Sequence, residues 1–175
     1  VKIVDLEGNP VPPNEPGDLY VRGDSLAECY WNMHEKNKKQ FLGDWYYTGD
    51  KYYRDEDGYY WYFGRSDDML KVSGIWVSPI EIENTLMEHE EVFEVAVIGV
   101  ETKDRLTKPK AFVVLRETAA PTKELEDELK QFVKDRLAPY KYPRMIEFVD
   151  SLPKTATGKI QRFRLRAKEK DLVEQ

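Results

Sequence analysis

The chain has 175 residues, enough for one or two domains, and 41% hydrophobic residues suffice for a globular core. No apolar run is long enough to span a bilayer, no signal-peptide pattern opens the chain, and the single cysteine, Cys29, excludes an internal disulfide. A reducing, cytoplasmic setting is expected, with Cys29 packed as a small hydrophobe rather than serving as a nucleophile. The net charge of −6 is unevenly placed: residues 151–170 carry seven basic side chains against one acidic one. An acidic body with a short basic end argues against general nucleic-acid binding and permits local binding of an anion such as a phosphate.

In chain order, residues 1–65 read as strands and turns. Segments 1–6, 18–22 and 59–63 are rich in β-branched and aromatic residues, and Asn9-Pro10, the prolines at 12, 13 and 16, and Asp57-Gly58 supply turns. Asp57-Gly58 between Tyr52-Tyr53 and Tyr59–Tyr62 predicts a hairpin, and 35–41 a short helix. The opening Val1-Lys2-Ile3-Val4-Asp5 reads as the middle of a strand without an initiator methionine, so a piece of a longer protein is expected. Past Arg65 the pattern changes. Ser78-Pro79-Ile80-Glu81 is a capping box with proline at the first helical position, opening a helix to about Glu90. Strands follow at 92–100 and 110–116. Thr122 caps a second helix to about Leu137, with Leu125, Leu129, Phe132, Val133 and Leu137 on one face. A strand at 145–149 and a basic helix at 161–170 complete the chain. The order hairpin, helix, strand, strand, helix, strand, helix predicts a compact domain, and the fold class is α+β. The polar stretch Arg65–Asp68 reads as a linker or hinge, dividing a small β-subdomain, 1–66, from a second domain, 67–175.

Three segments carry chemistry. In Leu152-Pro153-Lys154-Thr155-Ala156-Thr157-Gly158-Lys159-Ile160-Gln161-Arg162, Lys159 follows a glycine that adds no side chain and tolerates positive φ. The ammonium is free to reach into a site on another body, where it suits a carboxylate attacking a phosphate. The competing reading is a solvated basic turn. In Trp45-Tyr46-Tyr47-Thr48-Gly49-Asp50, the terminal carboxylate can accept both hydroxyls of a ribose, or simply form a turn. In Gly64-Arg65-Ser66-Asp67-Asp68-Met69-Leu70-Lys71-Val72-Ser73-Gly74, the guanidinium of Arg65 suits bidentate oxygen recognition, or pairs at the surface with Asp67 or Asp68. No constellation of metal ligands is evident.

In order and spacing these three segments, with Ser78-Pro79-Ile80-Glu81-Ile82-Glu83, resemble the late motifs of the adenylate-forming superfamily: acyl-CoA synthetases, peptide-synthetase adenylation domains and luciferases. The resemblance covers essentially the whole chain and is greatest to the benzoate-CoA ligase branch. It implies an AMP-forming acid–thiol ligase that activates benzoate or a related aryl acid with ATP and Mg²⁺, holds it as the acyl-adenylate with AMP, and transfers it to coenzyme A. It implies that Lys159 is the catalytic lysine of adenylation and a target of a lysine acetyltransferase. Asp50 would bind the ribose, Arg65 the ribose and phosphate side, and Tyr62 the adenine pocket, unless Tyr62 is a core tyrosine. Asp67 matches the hinge, with Asp68 the alternative one residue on. Ser73-Gly74 match a loop lining the pantetheine tunnel, and Tyr140, Lys141, Tyr142 and Arg144 positions near the CoA nucleotide, Tyr142 standing where a related ligase has arginine. The phosphate loop ending in lysine and the Tyr-Gly-x-Thr-Glu segment of the family are absent. The resemblance assigns them to a large N-terminal domain, a partner without which the chain is expected to be inactive. A homodimer is the expectation for the full enzyme. The alternatives are an adenylation domain that loads a carrier protein, and a freestanding binding module without catalysis.

Overall fold

The computed structural model describes residues 1–102 and 106–173. The chain divides into two compact units, Val1–Asp67 and Asp68–Gln175.

The first unit is an antiparallel sheet built around one long strand. It contains β1 (Lys2–Val4), β2 (Gly17–Val21), α1 (His34–Gln40), β3 (Phe41–Leu42), β4 (Trp45–Arg54) and β5 (Tyr60–Arg65). β2 pairs along one edge of β4, while β3 and β5 share the other, and β1 adds outside β2. Gly17 lets β1 approach closely, since a Cβ there would lie 2.5 Å from the Val4 carbonyl oxygen. The β4–β5 turn closes as the Asp57-Gly58 signal predicts: Gly58 takes φ +90 and donates its N–H to the Asp55 carbonyl at 3.1 Å. The Asp55 carboxylate accepts the Tyr59 amide at 2.8 Å and the Trp61 indole N–H at 2.7 Å. Cys29, expected to pack, is exposed, because it lies in the irregular stretch between β2 and α1, outside the sheet.

The second unit begins with a hairpin, β6 (Leu70–Val72) and β7 (Ile75–Val77). Then come α2 (Pro79–Met87), β8 (Val92–Glu101), β9 (Thr107–Leu115), α3 (Lys123–Lys134), β10 (Met145–Phe148) and α4 (Arg162–Val173). The order β10-β9-β8 forms a mixed sheet, antiparallel between β8 and β9 and parallel between β9 and β10. Side chains alternate across it. Val95, Val97, Ala111 and Val113 pack with Leu70, Val72 and Val77 of the hairpin, Ile82 and Leu86 of α2, and Leu125, Leu129 and Val133 of α3. Ala96, Ile98, Val100 and Phe112 point the other way, onto Leu152 and onto Leu165 of α4. Leu86, Leu129 and Val133 are fully buried, each worth about 1.5–3 kcal/mol relative to exposure.

Local chemistry sets the helix starts. The Ser78 hydroxyl accepts the Glu81 amide at 3.4 Å, with Pro79 in the first turn, and the Thr122 hydroxyl accepts the Leu125 amide at 3.2 Å. The Glu81 carboxylate of the predicted capping box accepts Lys141 Nζ at 2.6 and 2.7 Å. α2 also ends at Met87 rather than near Glu90. The Glu88 amide bonds back to Thr85 and the His89 amide to Leu86, tightening the last turn so that the chain can enter β8.

Candidate functional site

In the first unit the sheet register gathers the nucleotide candidates. Asp50 on β4 lies directly opposite Arg65 on β5. Arg65 Nη1 donates to Asp50 Oδ1 at 3.1 Å and to the Thr48 carbonyl at 3.4 Å, while its Nε donates to Asp67 Oδ1 at 3.2 Å. The guanidinium therefore bridges the ribose candidate and the hinge candidate, and its surface pairing with Asp67 is real. Partial burial works against its charge, but Asp67 and then Asp50 outweigh that, holding the Arg65 pKa above its usual range. Thr48 orients the strand end: its hydroxyl donates to the Leu19 carbonyl and accepts the Asp50 amide, both at 3.1 Å. Gly49 takes φ +75, and a Cβ on it would lie 3.1 Å from Arg65 Nη2, so the guanidinium lies flat against it.

Tyr62 joins the same face through an irregularity in the sheet. The register shifts between Lys51 and Tyr52, so that Tyr52 opposes Tyr62 while Asp50 opposes Arg65. Tyr62 and Arg65, three apart in sequence, would point to opposite faces of a regular strand. The bulge brings both onto the face of Asp50 and Tyr52. The Tyr62 ring meets that of Tyr52 edge-on at 5.4 Å and is 43% exposed, so it is not a core tyrosine.

Asp67 and Asp68 differ sharply. The side chain of Asp67 is 71% exposed and, among the described residues, is held to Arg65. Asp68 is largely buried within the second unit, where it accepts Arg166 Nη1 at 2.7 Å and lies 3.6 Å from Arg162 Nη1.

In the second unit, Lys159 rides on a closed turn. The Thr155 amide donates to the Lys159 carbonyl at 2.9 Å, the Gly158 amide to the Thr155 carbonyl at 2.9 Å, and the Gln161 amide to the Pro153 carbonyl at 2.8 Å. The Lys159 amide donates to the Thr155 hydroxyl at 3.1 Å, and Gly158 takes φ +82. The Lys159 side chain is exposed, and no carboxylate among the described residues pairs with it. Four of the other six cations of the basic end are different: Lys154 pairs with Glu94, Arg162 with Glu83, Arg166 with Asp68, and Lys168 with Glu147. Charge count alone missed this, since each partner lies far away in sequence.

The residues matched to CoA positions fall in two places. Ser73 and Gly74 form the β6–β7 turn at φ 50 and φ 87, the pair of positive angles that a two-residue type I′ turn requires. Tyr140 and Tyr142 pack against the α2–α3 core. Lys134 and Arg144 lie over the Tyr142 ring at 4.3 and 4.1 Å, and Arg144 also contacts the Tyr142 hydroxyl. Lys141 is committed to Glu81. Among the described residues, no group of three or more His, Cys, Asp or Glu side chains is arranged to hold a metal, and no helix is long and apolar enough to cross a membrane.

Residues 81–159 match the AMP-binding enzyme C-terminal domain. Over 168 residues the chain is 54% identical to the benzoate-CoA ligase of Thauera aromatica, covering 95% of this chain and 32% of that protein. The crystal structure of the anthranilate CoA ligase AuaEII in complex with anthranoyl-AMP matches with a TM-score of 0.95 and 51% identity, over 99% of this chain and 34% of that one. A benzoate CoA ligase from Burkholderia xenovorans matches with a TM-score of 0.88 and 56% identity, over 94% of this chain and 33% of that one. The chain spans about a third of the length of the curated relatives it matches.

Proposed function

This chain belongs to the AMP-binding enzymes and carries their C-terminal domain, and on that premise we propose that it is the C-terminal part of an AMP-forming ligase joining benzoate, or a related aryl acid, to coenzyme A. Lys159 carries the reading: an exposed ammonium on a hydrogen-bonded turn, without a carboxylate of its own among the described residues, while Lys154, Arg162, Arg166 and Lys168 of the same basic end are ion-paired. Such a group is available to a carboxylate and an α-phosphate at once.

In the first step a carboxylate oxygen of the acid attacks the α-phosphorus of ATP. The bond to the bridging oxygen breaks, and pyrophosphate leaves with the electron pair. Lys159 offsets the negative charge that gathers there. Asp50 accepts the ribose hydroxyls, Arg65 orients Asp50 and faces the ribose and phosphate side, and Tyr62 lines the adenine. Mg²⁺ enters as the companion of the ATP phosphates. In the second step the CoA thiol loses its proton, its sulfur attacks the acyl carbonyl, and AMP departs. Ser73 and Gly74 line the path of the pantetheine, with Tyr140, Lys141, Tyr142 and Arg144 toward the CoA nucleotide. Asp67 is the hinge about which residues 68–175 change orientation between the steps. We further assign the whole protein to the cytoplasm, as a homodimer, with Lys159 open to a lysine acetyltransferase.

The test uses the full-length protein with ATP, benzoate and either CoA or a holo-carrier protein. Benzoyl-CoA and AMP formed with free CoA support the reading. Loading of the carrier protein alone would move the assignment to an adenylation domain, and no benzoate-dependent pyrophosphate release from either would refute it.

A further inference from the structure

A buried ion network lies behind the Lys159 turn, and the chemistry above does not use it. Glu83 on α2 is only 8% exposed. Its Oε1 accepts the backbone N–H of Val97, in the middle of β8, at 2.8 Å. The same carboxylate takes Arg162, the first residue of α4, through Nη2 at 2.6 and 2.8 Å and through Nε at 3.2 Å. Arg162 also lies 3.6 Å from Asp68, the first residue of the second unit. A buried pair of this kind is weak evidence for stability, because desolvation offsets most of the attraction. What it supplies is direction: a planar guanidinium held by a carboxylate along its Nε–Nη2 edge cannot rotate without breaking charge-assisted hydrogen bonds.

That direction is passed to Lys159. Arg162 follows Lys159 by three positions, at the end of the second leg of the turn. Leu152 and Ile160 seat the two legs on the apolar face of the sheet. Apolar contact is non-directional and leaves the rotation of the turn open. Two ionic ties close it, and both run to β8: Lys154 to Glu94 at 2.7 Å on the first leg, and Arg162 through Glu83 to the Val97 amide on the second. The Lys154 tie is the more exposed and the weaker of the two.

We propose that Glu83 and Arg162 are positioning residues for Lys159, their buried pair aiming the turn so that the ammonium meets the reacting oxygens without itself touching substrate. The proposal rests on the reading of Lys159 as the adenylation lysine. The test is on the full-length enzyme, with the two half-reactions assayed separately on Glu83→Gln, Arg162→Lys and Lys159→Ala. Glu83→Gln keeps the volume and loses the charge; Arg162→Lys keeps the charge and loses the fork. Both should lower the adenylation kcat by about 10- to 100-fold, the scale set by misplacing a group by about 1 Å. KM for ATP and for the acid should stay within about twofold, since the contact acts only in the transition state. Thioester formation from supplied aryl-adenylate should keep its normal rate. Equal losses in both half-reactions, unchanged adenylation, or failure of both variants to fold would make the network purely structural and overturn the proposal. If adenylation survives Lys159→Ala, the reading of Lys159 itself fails; if Lys159→Ala abolishes it while the other two variants leave it intact, only the positioning role fails.

Discussion

Lys159→Ala separates chemistry from folding on a single side chain. At a separation of about 4 Å and an effective dielectric of about 20, one charge–charge contact is worth ~4 kcal/mol. At about 1.4 kcal/mol per decade that is roughly three decades in rate. Imperfect geometry and residual water lower the figure, so adenylation should fall by about two to three decades. Stability should change by less than about 0.5 kcal/mol, because the side chain is exposed and has no ion-pair partner among the described residues. Lys154→Ala, five positions earlier in the same turn, is the matched control. It removes the partly exposed Lys154–Glu94 pair at 2.7 Å, worth up to about 1 kcal/mol of stability, and, as the weaker of the two ionic ties of the turn, its loss should lower adenylation far less than Lys159→Ala does. The assay is acid-dependent exchange of pyrophosphate into ATP, set beside thioester formation from supplied benzoyl-adenylate, with urea denaturation of each variant. Equal loss in both half-reactions, or adenylation that survives the substitution, would return the turn to a solvated basic loop.

The remaining expectations concern the hinge, the first unit and the ionic core. Asp67→Pro fixes φ at the boundary between the units and removes the contact to Arg65 Nε; it should damage one half-reaction far more than the other, and equal damage would show that Asp67 is not the hinge. Gly17→Ala would set a Cβ 2.5 Å from a backbone oxygen and 2.8 Å from Ile3 Cγ2, so it should destabilise the first unit by about 1–3 kcal/mol in urea denaturation; an unchanged transition would mean that β1 yields freely. The pH dependence follows from Glu147. Burial pushes its pKa up, but Lys110 and then Lys168 outweigh that and hold it below the usual carboxylate range. A depressed carboxylate pKa contributes stability above its unfolded value, about 4.3, that is lost as pH falls through the lower folded value. Glu147→Gln should therefore be less stable than the parent at pH 7, with the gap closing below about pH 4; a gap that stays constant across that window would contradict the assignment.

What the sequence by itself determined is what depends on neighbours along the chain. Ser78-Pro79 and Thr122 announce their helices because a cap satisfies amides only two or three residues on. The spacing of Leu125, Leu129 and Val133 announces the buried face of α3, and Asp57-Gly58 the β4–β5 turn, for the same local reason. Lys159 was legible too, since a glycine-supported turn between polar residues presents its side chain whatever lies across from it. Only the tertiary structure decided the rest. The bulge in β5 that turns Tyr62 to the face of Arg65 depends on the register against β4, and a one-residue shift of register reverses every side chain beyond it. The same holds for the left-handed Ser73 at the β6–β7 turn, a conformation its side chain does not favour and the hairpin imposes. The charges were the least readable part. Glu81 appears in sequence as a capping residue and is taken by Lys141, 60 positions on; Arg162 appears as one more cation of a basic helix and is gripped by Glu83, 79 positions back. Ion pairing is set by distance in space and by burial, to which position along the chain is blind, so the fold alone shows which cations of the basic end are already neutralised and that Lys159 is not among them.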